Sequence, residues 1–264
     1  MADPVPAIAE ASATGETAAL FADIRATVGV RVVNLVWRHL ATIDGALPWA
    51  WVAVKPLYLQ GIADCAAVRF RESMVLPKLG SLAGTQPRSV DDVLASYDHS
   101  NTINLFALGA LVACLHGETA GHGTPSTGAR LPAPDVVLPK LMSAEDVTPE
   151  TWALVLRLNR FGDPHQVILA SMYRQLASTP DFLRQVEAAL APVEADGSLA
   201  RAIAANRRDA HERAKILARA IDAKRPAFAD AVETSVCAFV DHAIGKMVTI
   251  CRAIRQARGI TAGV

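Results

Sequence analysis

The sequence predicts an all-α protein made of two related helical halves that pack as a pseudo-dimer around a central cleft. Three observations support this prediction. Apolar residues recur at helical spacing along most of the chain, and no convincing strand-like alternation is present. A segment rich in glycine and proline, residues 116–147, interrupts the helical pattern near the middle. Residues on its two sides match when the chain is shifted by 136 positions.

The first predicted helix begins near Glu16. Leu20, Ile24 and Val28 form an apolar stripe along it, and Gly29 is placed to end it. The later helices of the first half are separated by turn or loop signals. They are predicted over 32–43, over 46–70 with a kink at Pro56, from the cap Ser89 onward, and, as a fully buried helix, over the apolar stretch 103–115.

The middle of the chain, residues 116–147, is predicted to form a linker loop because it holds few large apolar residues. Thr148, Pro149 and Glu150 then supply a cap, a first-turn proline and an acidic residue in the order that begins a helix. The helices predicted beyond them cover 165–178, 180–191, 198–221 and 226–256. We therefore divide one globular unit into a first repeat (1–115), the linker (116–147) and a second repeat (148–264).

The predicted repeat depends on matches that an alanine-rich chain would not often give by chance. The informative pairs at the shift of 136 residues are Arg38 and Arg174, Pro56 and Pro192, Gly61 and Gly197, and Arg71 and Arg207. Two copies of one unit in a chain are expected to pack about a pseudo-twofold axis, as the subunits of a dimer do. The cleft between the two halves is then the expected ligand site.

Composition argues against several classes of protein. Lys and Arg number 26, as do Asp and Glu, so the formal net charge of zero argues against a dedicated nucleic-acid binder. The longest run without a polar side chain, Leu105 to Leu115, is shorter than the roughly 20 residues that a membrane-spanning helix needs. The N-terminus lacks the pattern of a signal peptide, and the four cysteines lack metal-type spacing. We therefore expect a cytoplasmic protein with no membrane partner.

The sequence also lacks the motifs of common cofactor and metal sites. It has no glycine-rich nucleotide loop, no H-E-x-x-H and no G-x-S-x-G. His116, Glu118 and His122 have neither the spacing of one helix face nor that of a known ligand set. We therefore expect no cofactor and no metal ion, and we leave a homodimer open.

The segment 96–104 places many polar side chains just before a buried stretch. Asp98 and Asn101 would share a face if this segment is helical, since they are three residues apart. Polar groups beside a core need partners, so the segment is either the floor of a pocket or, through Asp98 and Ser100, a cap on the next helix. The spacing alone supports both interpretations equally.

Arg38 and Arg174 are unusual because both lie inside otherwise apolar helices. One interpretation is that one of them binds a substrate carboxylate. The other is that each holds the helices of its own half together by donating to backbone carbonyls. Their matching positions in the two repeats favour the second interpretation, because one pocket seldom needs symmetric copies.

Dispersed segments along most of the chain match one enzyme family. They are Asp23-Ile24-Arg25, Arg38 with Leu40-Ala41-Thr42, Gly45 with Leu47-Pro48 and Ala50-Trp51, 96–108, 171–186, and Leu190-Ala191-Pro192-Val193. In these segments the sequence resembles the group I 2-haloacid dehalogenases, hydrolases that accept both D and L enantiomers. The resemblance implies an all-α fold of two related halves with the site between them.

The resemblance also implies that water attacks the carbon bearing the halogen directly, with inversion and without a covalent ester to the enzyme. A carboxylate acts as general base, and an asparagine from the other half holds the water. The asparagine falls on Asn101 and the serine before the base falls on Ser171, both intact. The base itself falls on Met172, and two aromatic positions of the family's pocket fall on Val32 and Leu35.

The candidate catalytic residues are therefore Asn101 and Asp98, and the candidate substrate-binding residues are Val32, Leu35, Ser171, Met172 and Tyr173. A thioether cannot take a proton from water at neutral pH, so a hydrolase would need another base, for which Asp98 is the candidate. The alternative is a relative that binds a small organic acid or another small apolar ligand in the cleft without hydrolysing it. A helical enzyme with a reactive cysteine pair ranks last, since no C-x-x-C occurs.

Overall fold

A computed structural model describes residues 5–164 and 168–260, and over these ranges the chain consists of helices and loops without a β-strand. The all-α prediction is confirmed. The α-helices, numbered in chain order, are α1 (Gly15–Val28), α2 (Leu35–Leu40), α3 (Ala46–Leu59), α4 (Ile62–Ser73), α5 (Arg88–Leu115), α6 (Pro149–Arg160), α7 (Ser171–Leu176), α8 (Pro180–Ala195), α9 (Ser198–Leu217), α10 (Ala229–Cys237) and α11 (Gly245–Ala257). A π-helical segment, Ala238–Ile244, joins α10 to α11.

Several predicted boundaries are wrong for local reasons. The predicted helix over 46–70 is two helices, because Gly61 adopts a left-handed conformation (φ 65°) between α3 and α4, whereas Pro56 stays inside α3. Ser89 is not a cap, since α5 already begins at Arg88. The helix predicted over 32–43 is only the six-residue α2. The first residues of the helix predicted over 165–178 lie outside the described ranges, and its observed part is α7.

Helix α5 is a continuous helix of 28 residues that runs through the middle of the molecule. Asp98 and Ser100 lie inside it, so the interpretation that they cap a following helix is wrong. Most of its residues from Val90 onward are buried, including every residue from Asp98 to Ala113. A helix buried on all sides must satisfy its polar side chains inside the protein, and this explains the polar character of the segment 96–104.

The core consists of two apolar clusters on either side of α5. One is formed mainly by α1 to α4, the second half of α5 and α10, and the other mainly by α6 to α9, the start of α5 and α11. Helices α2 and α7 begin 136 residues apart, and so do α4 and α9. The internal repeat stays a prediction, which these matching bounds support.

The segment between α5 and α6 contains no regular helix among its described residues and packs along α4. The backbone N–H of Gly128 donates to the carbonyl of Gln60 at 3.2 Å, and that of Leu131 donates to Asp64 Oδ1 at 2.8 Å. The hydroxyl of Thr148 accepts from the backbone N–H of Thr151, so the predicted cap of α6 is confirmed.

One helical run in the described chain, Ala229–Ala257, is long and apolar enough to cross a membrane by length and composition. Its 18-residue window has a mean hydropathy of 1.2, and 61% of that window is buried inside the protein. The same test is passed by the core helices of globular proteins, so the run is weak evidence for a membrane span.

Candidate functional site

Residues predicted from separate parts of the sequence line one small cavity, here called the site cavity. Its volume is about 50 Å³, and its lining includes Leu35, Asn101, Ser171 and Met172. These residues come from α2, α5 and α7, on both sides of the linker. Four of the predicted site residues therefore meet at one place in the fold.

Helix α7 presents Ser171 and Met172 to this cavity, and the side chain of Asn159 fixes the backbone just before them. Asn159 Nδ2 donates to the carbonyl of Ile168 at 3.2 Å, and the N–H of Ala170 donates to Asn159 Oδ1 at 2.9 Å. Asn159 is 5% exposed, so water competes little for either hydrogen bond. The start of α7 is thus held in one position against α5.

The remaining wall comes from the C-terminal helices, which the sequence did not indicate as part of a site. Phe239, Ala243, Ile244 and Met247 line the cavity from the π-helical segment and the start of α11. π-Helical turns are rare and occur frequently at functional sites. The only sequence signal for this wall was its apolar character, which a buried core helix shares.

A buried hydrogen-bond network supports α5 beside the site cavity. Asn104 Oδ1 accepts from Trp37 Nε1 at 3.2 Å and from the Tyr58 hydroxyl at 2.7 Å. Asn104 Nδ2 donates to Asn34 Oδ1 at 3.1 Å, and Asn34 Nδ2 donates to the Ser100 hydroxyl at 3.1 Å. The polar side chains of this part of α5 are therefore largely a structural network, with Asn34 at its edge lining the cavity.

Among the described residues that line the site cavity, Tyr97 is the one with a titratable side chain. Burial raises the pKa of its hydroxyl well above the ordinary value, although a hydrogen bond with Ser171 and the charges of Arg38 and Arg174 act in the opposite direction. The phenol is therefore protonated at neutral pH. Tyr97 was part of the predicted polar segment but was not singled out as a site residue.

A second cavity of about 200 Å³, here called the outer cavity, shares Asn34, Leu35, Tyr97 and Ser171 with the site cavity. Its lining also includes Val32, which is 42% exposed. Because the two cavities share lining residues, they lie next to each other, and the outer cavity is the larger and more polar of the two.

Arg38 and Arg174 both donate to backbone carbonyls. Arg38 Nε donates to the carbonyl of Val33 at 3.1 Å, and Arg174 Nε donates to that of Met142 at 2.8 Å. Both arginines thus donate to carbonyls, as the structural interpretation expects, but Val33 precedes α2 and Met142 lies in the linker, so these two bonds do not join helices of one half. Arg38 in addition lines the outer cavity, so its guanidinium lies beside the space that a ligand would enter.

Asp98 does not line the site cavity among the described residues, and it faces a different space. Its Oδ2 lies 3.6 Å from Arg71 Nη2, 3.3 Å from Arg252 Nη1 and 3.7 Å from Arg255 Nε. The structure therefore does not bring Asp98 and Asn101 to one cavity, and the role of Asp98 as a general base stays a prediction. Three residues turn a helix by about 300°, so neighbours on one helix face can still border different cavities.

Tyr173 is also absent from the described linings of both cavities. Its ring is fully buried in the apolar cluster of the second half. Its hydroxyl has no hydrogen-bond partner among the described residues, and burial raises its pKa far above the ordinary value. The structure therefore places the Tyr173 side chain in the core and not at either cavity, and its contact with a substrate stays a prediction.

The fold is shared with solved structures of D-2-haloacid dehalogenases. A D-2-haloacid dehalogenase mutant in complex with D-2-CPA superposes with a TM-score of 0.73 at 16% sequence identity, over 97% of each chain. A D-2-haloacid dehalogenase in complex with L-LA gives a TM-score of 0.71 at 17% identity, again over 97% of each chain. No family model matches the sequence, and no curated protein sequence matches it. At this identity the similarity establishes the fold.

Proposed function

We propose that this protein binds a short 2-haloalkanoic acid or a related small carboxylic acid in the site cavity and the adjoining outer cavity. The observation that carries the proposal is the meeting of Leu35, Asn101, Ser171 and Met172 around one cavity. The resemblance assigns these positions to the pocket of a 2-haloacid dehalogenase, and the shared fold supports the same assignment. The acid's carboxylate would lie in the outer cavity, beside Arg38.

The chemistry of the lining favours binding without hydrolysis. Displacement of halide requires a base that takes a proton from the attacking water while the carbon–halogen bond breaks and the halide leaves with its electron pair. Met172 has no basic site at neutral pH, and Tyr97 stays protonated because burial raises its pKa. The described lining contains no carboxylate, imidazole or thiol. We therefore infer a ligand-binding relative that does not dehalogenate efficiently.

A hydrolytic 2-haloacid dehalogenase is the second candidate, and one observation favours it. Asn101 is 8% exposed and borders the site cavity. A side-chain amide can both donate to and accept from a water molecule held in that cavity. In this case the base would have to come from a group beyond those in the described lining.

Calorimetric titration with 2-chloropropionate tests the binding proposal. Wild-type protein is expected to bind, whereas Ala243→Leu is expected to lose binding because the larger side chain fills the site cavity. Ala204→Leu, at an exposed position of α9, is the matched control and should bind like the wild type. Equal binding by Ala243→Leu and the wild type, with both folded, would place the ligand elsewhere. Halide measured in the same samples separates the two candidates, since only a hydrolase releases it.

A further inference from the structure

A cavity larger than the site cavity lies on another side of α5 and shares no lining residue with it. Its volume is about 440 Å³, and it is lined by α4, α5, α11 and residues of the linker. Three arginines line it, Arg71, Arg252 and Arg255. We call it the arginine cavity.

The three arginines converge on a single carboxylate, that of Asp98. Each guanidinium has a nitrogen within 3.3–3.7 Å of Asp98 Oδ2. The arginine side chains are only 11–16% exposed, and the Asp98 side chain is 10% exposed. Glu72, the other acidic residue of the lining, is solvent-exposed. Within the buried part of the cavity, three positive charges therefore face one negative charge.

The hydrogen-bond capacity of the arginines is also incompletely used. Arg71 Nη2 donates to the backbone carbonyl of Asp98 at 2.7 Å, and Arg252 Nη1 donates to Asp98 Oδ2 at 3.3 Å. The Nε groups of Arg71 and Arg255 are buried and have no hydrogen-bond partner among the described residues. A buried donor without an acceptor costs free energy, so the cluster of Asp98 and the three arginines does not satisfy itself completely.

Electrostatic repulsion among the three guanidinium groups is a second unfavourable contribution. Burial lowers the pKa of Arg71, and the charges of Arg252 and Arg255 lower it further against the opposing effect of Asp98. Three guanidinium groups stay charged in proteins, so they cannot relieve the repulsion by losing a proton. A second source of negative charge would relieve it.

We propose that the arginine cavity binds a small dianion, either a phosphate or a short dicarboxylate. Two negative charges would balance the excess of two positive charges, and planar guanidinium groups bind both kinds of oxyanion through paired hydrogen bonds. Leu131, Pro132 and Pro134 form an apolar wall from the linker, which limits competition from water. This site is separate from the site of the proposed function, because the two linings have no residue in common.

Thermal unfolding and calorimetric titration test the proposal on the full chain with inorganic phosphate and succinate as probes. Sodium chloride at equal ionic strength is the reference, since it separates binding from general screening. At least one dianion should raise Tm and give a saturable titration, as expected for a ligand that binds the folded state. Binding of only one probe identifies which source supplies the anion. No effect of either probe beyond that of chloride overturns the proposal.

Two substitutions with opposite expected effects locate the site. Arg252→Met removes a positive charge and should weaken dianion binding by about tenfold or more. Asp98→Asn removes the competing carboxylate, and dianion binding should strengthen by about tenfold. Arg208→Met, at an exposed position of α9, is the matched arginine control and should leave binding unchanged.

Because the two variants should change dianion affinity in opposite directions, the test distinguishes a binding site from a structural cluster. A purely structural cluster would lose stability in both variants, and neither would bind the dianion more tightly than the wild type. If Arg252→Met does not fold, Arg255→Met replaces it, and Asp98→Asn is measured in either case. Unchanged or weaker binding in folded Asp98→Asn contradicts the proposal.

Discussion

Asn101 and Met172 line the same cavity, although Asn101 lies in α5 of the first predicted repeat and Met172 lies in α7 of the second. The resemblance implies that these two positions hold and activate a water molecule, the first through its amide and the second through a carboxylate. In this chain the amide is present, and a thioether stands at the position that the resemblance gives to the carboxylate. Under the proposed function, the cavity would hold a water molecule but would lack an acceptor for its proton.

A carboxylate placed at position 172 is expected to give the protein halide-releasing activity. Met172→Asp should release halide from racemic 2-chloropropionate about 100-fold faster than the wild type, because a positioned general base contributes about 10²–10⁴-fold. Met172 is 1% exposed, so burial should raise the pKa of the new carboxyl group above its ordinary value. The rate should therefore increase with pH until that carboxyl group is ionised. Ion chromatography of chloride gives the measurement.

Three variants control this experiment. Met172→Asn has the shape of the aspartate without its basicity and should stay as inactive as the wild type. Met172→Asp combined with Asn101→Ala should lose the gained activity, since the water is no longer held. Met172→Asp combined with Asp98→Asn should keep it, because Asp98 faces the arginine cavity. Loss of activity in this last variant, with the fold retained, would contradict the assignment of Asp98 to the arginine cavity.

Asn104 is expected to be the most sensitive polar residue of α5 for stability. Asn104→Leu leaves two buried partners, Trp37 and Tyr58, and the half-buried Asn34 without their hydrogen bonds to this residue. The free energy of unfolding should fall by about 4 kcal/mol, measured by urea denaturation. Asn101→Leu is the matched control on the same helix, and it should change stability by less than about 1 kcal/mol because it borders a cavity. Equal losses in both variants would contradict the structural role of the network.

The general architecture was predictable because helical periodicity and the residues that begin and end helices are local properties of the sequence. Gly29 ends α1 in a left-handed conformation with φ of 76°, as its position after an apolar stripe predicts. Thr148 caps α6 for the same kind of local reason. The break between α3 and α4 is not evident from the sequence, because Gly61 lies within a continuous apolar pattern and Pro56, the stronger break signal, is accommodated inside α3.

The site was predictable only in part, because cavities depend on how distant helices meet. The resemblance supplied Leu35, Asn101 and Ser171, which do line the site cavity. Spacing along α5 suggested that Asp98 would accompany Asn101, but the position of α11 decides which cavity Asp98 faces. The wall formed by Phe239 and its neighbours carries no polar signal that separates it from an ordinary core helix.

Gly61 is expected to tolerate substitution less well than its counterpart Gly197 in the predicted repeat. Both have positive φ, 65° and 73°, but a Cβ at Gly61 would lie 2.1 Å from the backbone oxygen of Gly128. A Cβ at Gly197 would meet only the end of the Arg201 side chain, at 3.2 Å. Gly61→Ala should therefore destabilise by about 3 kcal/mol and Gly197→Ala by about 1 kcal/mol. Similar urea midpoints for the two variants would indicate that the linker does not pack on α4 as described.

Lys246 is expected to make stability depend on pH. Its side chain is 0% exposed, and its ammonium group donates to the carbonyl of Asn159. Burial lowers its pKa from 10.5 to about 8, with Asp163 and Glu194 opposing the shift and Arg207 adding to it. Between these two pH values the unfolded chain binds more protons at this residue than the folded protein does. The contribution of Lys246 to the free energy of unfolding should therefore rise with pH over that range.

Lys246→Met removes this contribution, and Lys78→Met, at an exposed position, is the matched control. Loss of the bond to Asn159 affects the variant at every pH, so the informative quantity is the change with pH in its stability relative to the wild type. That relative stability should fall by about 1 kcal/mol between pH 7 and pH 9 in urea denaturation, while that of Lys78→Met should stay constant. If the stability of Lys246→Met relative to the wild type does not change with pH, Lys246 keeps an ordinary pKa in the folded protein. Because Asn159 also holds the backbone at Ile168 and Ala170, ligand binding by this variant would further show how far this lysine supports the start of α7.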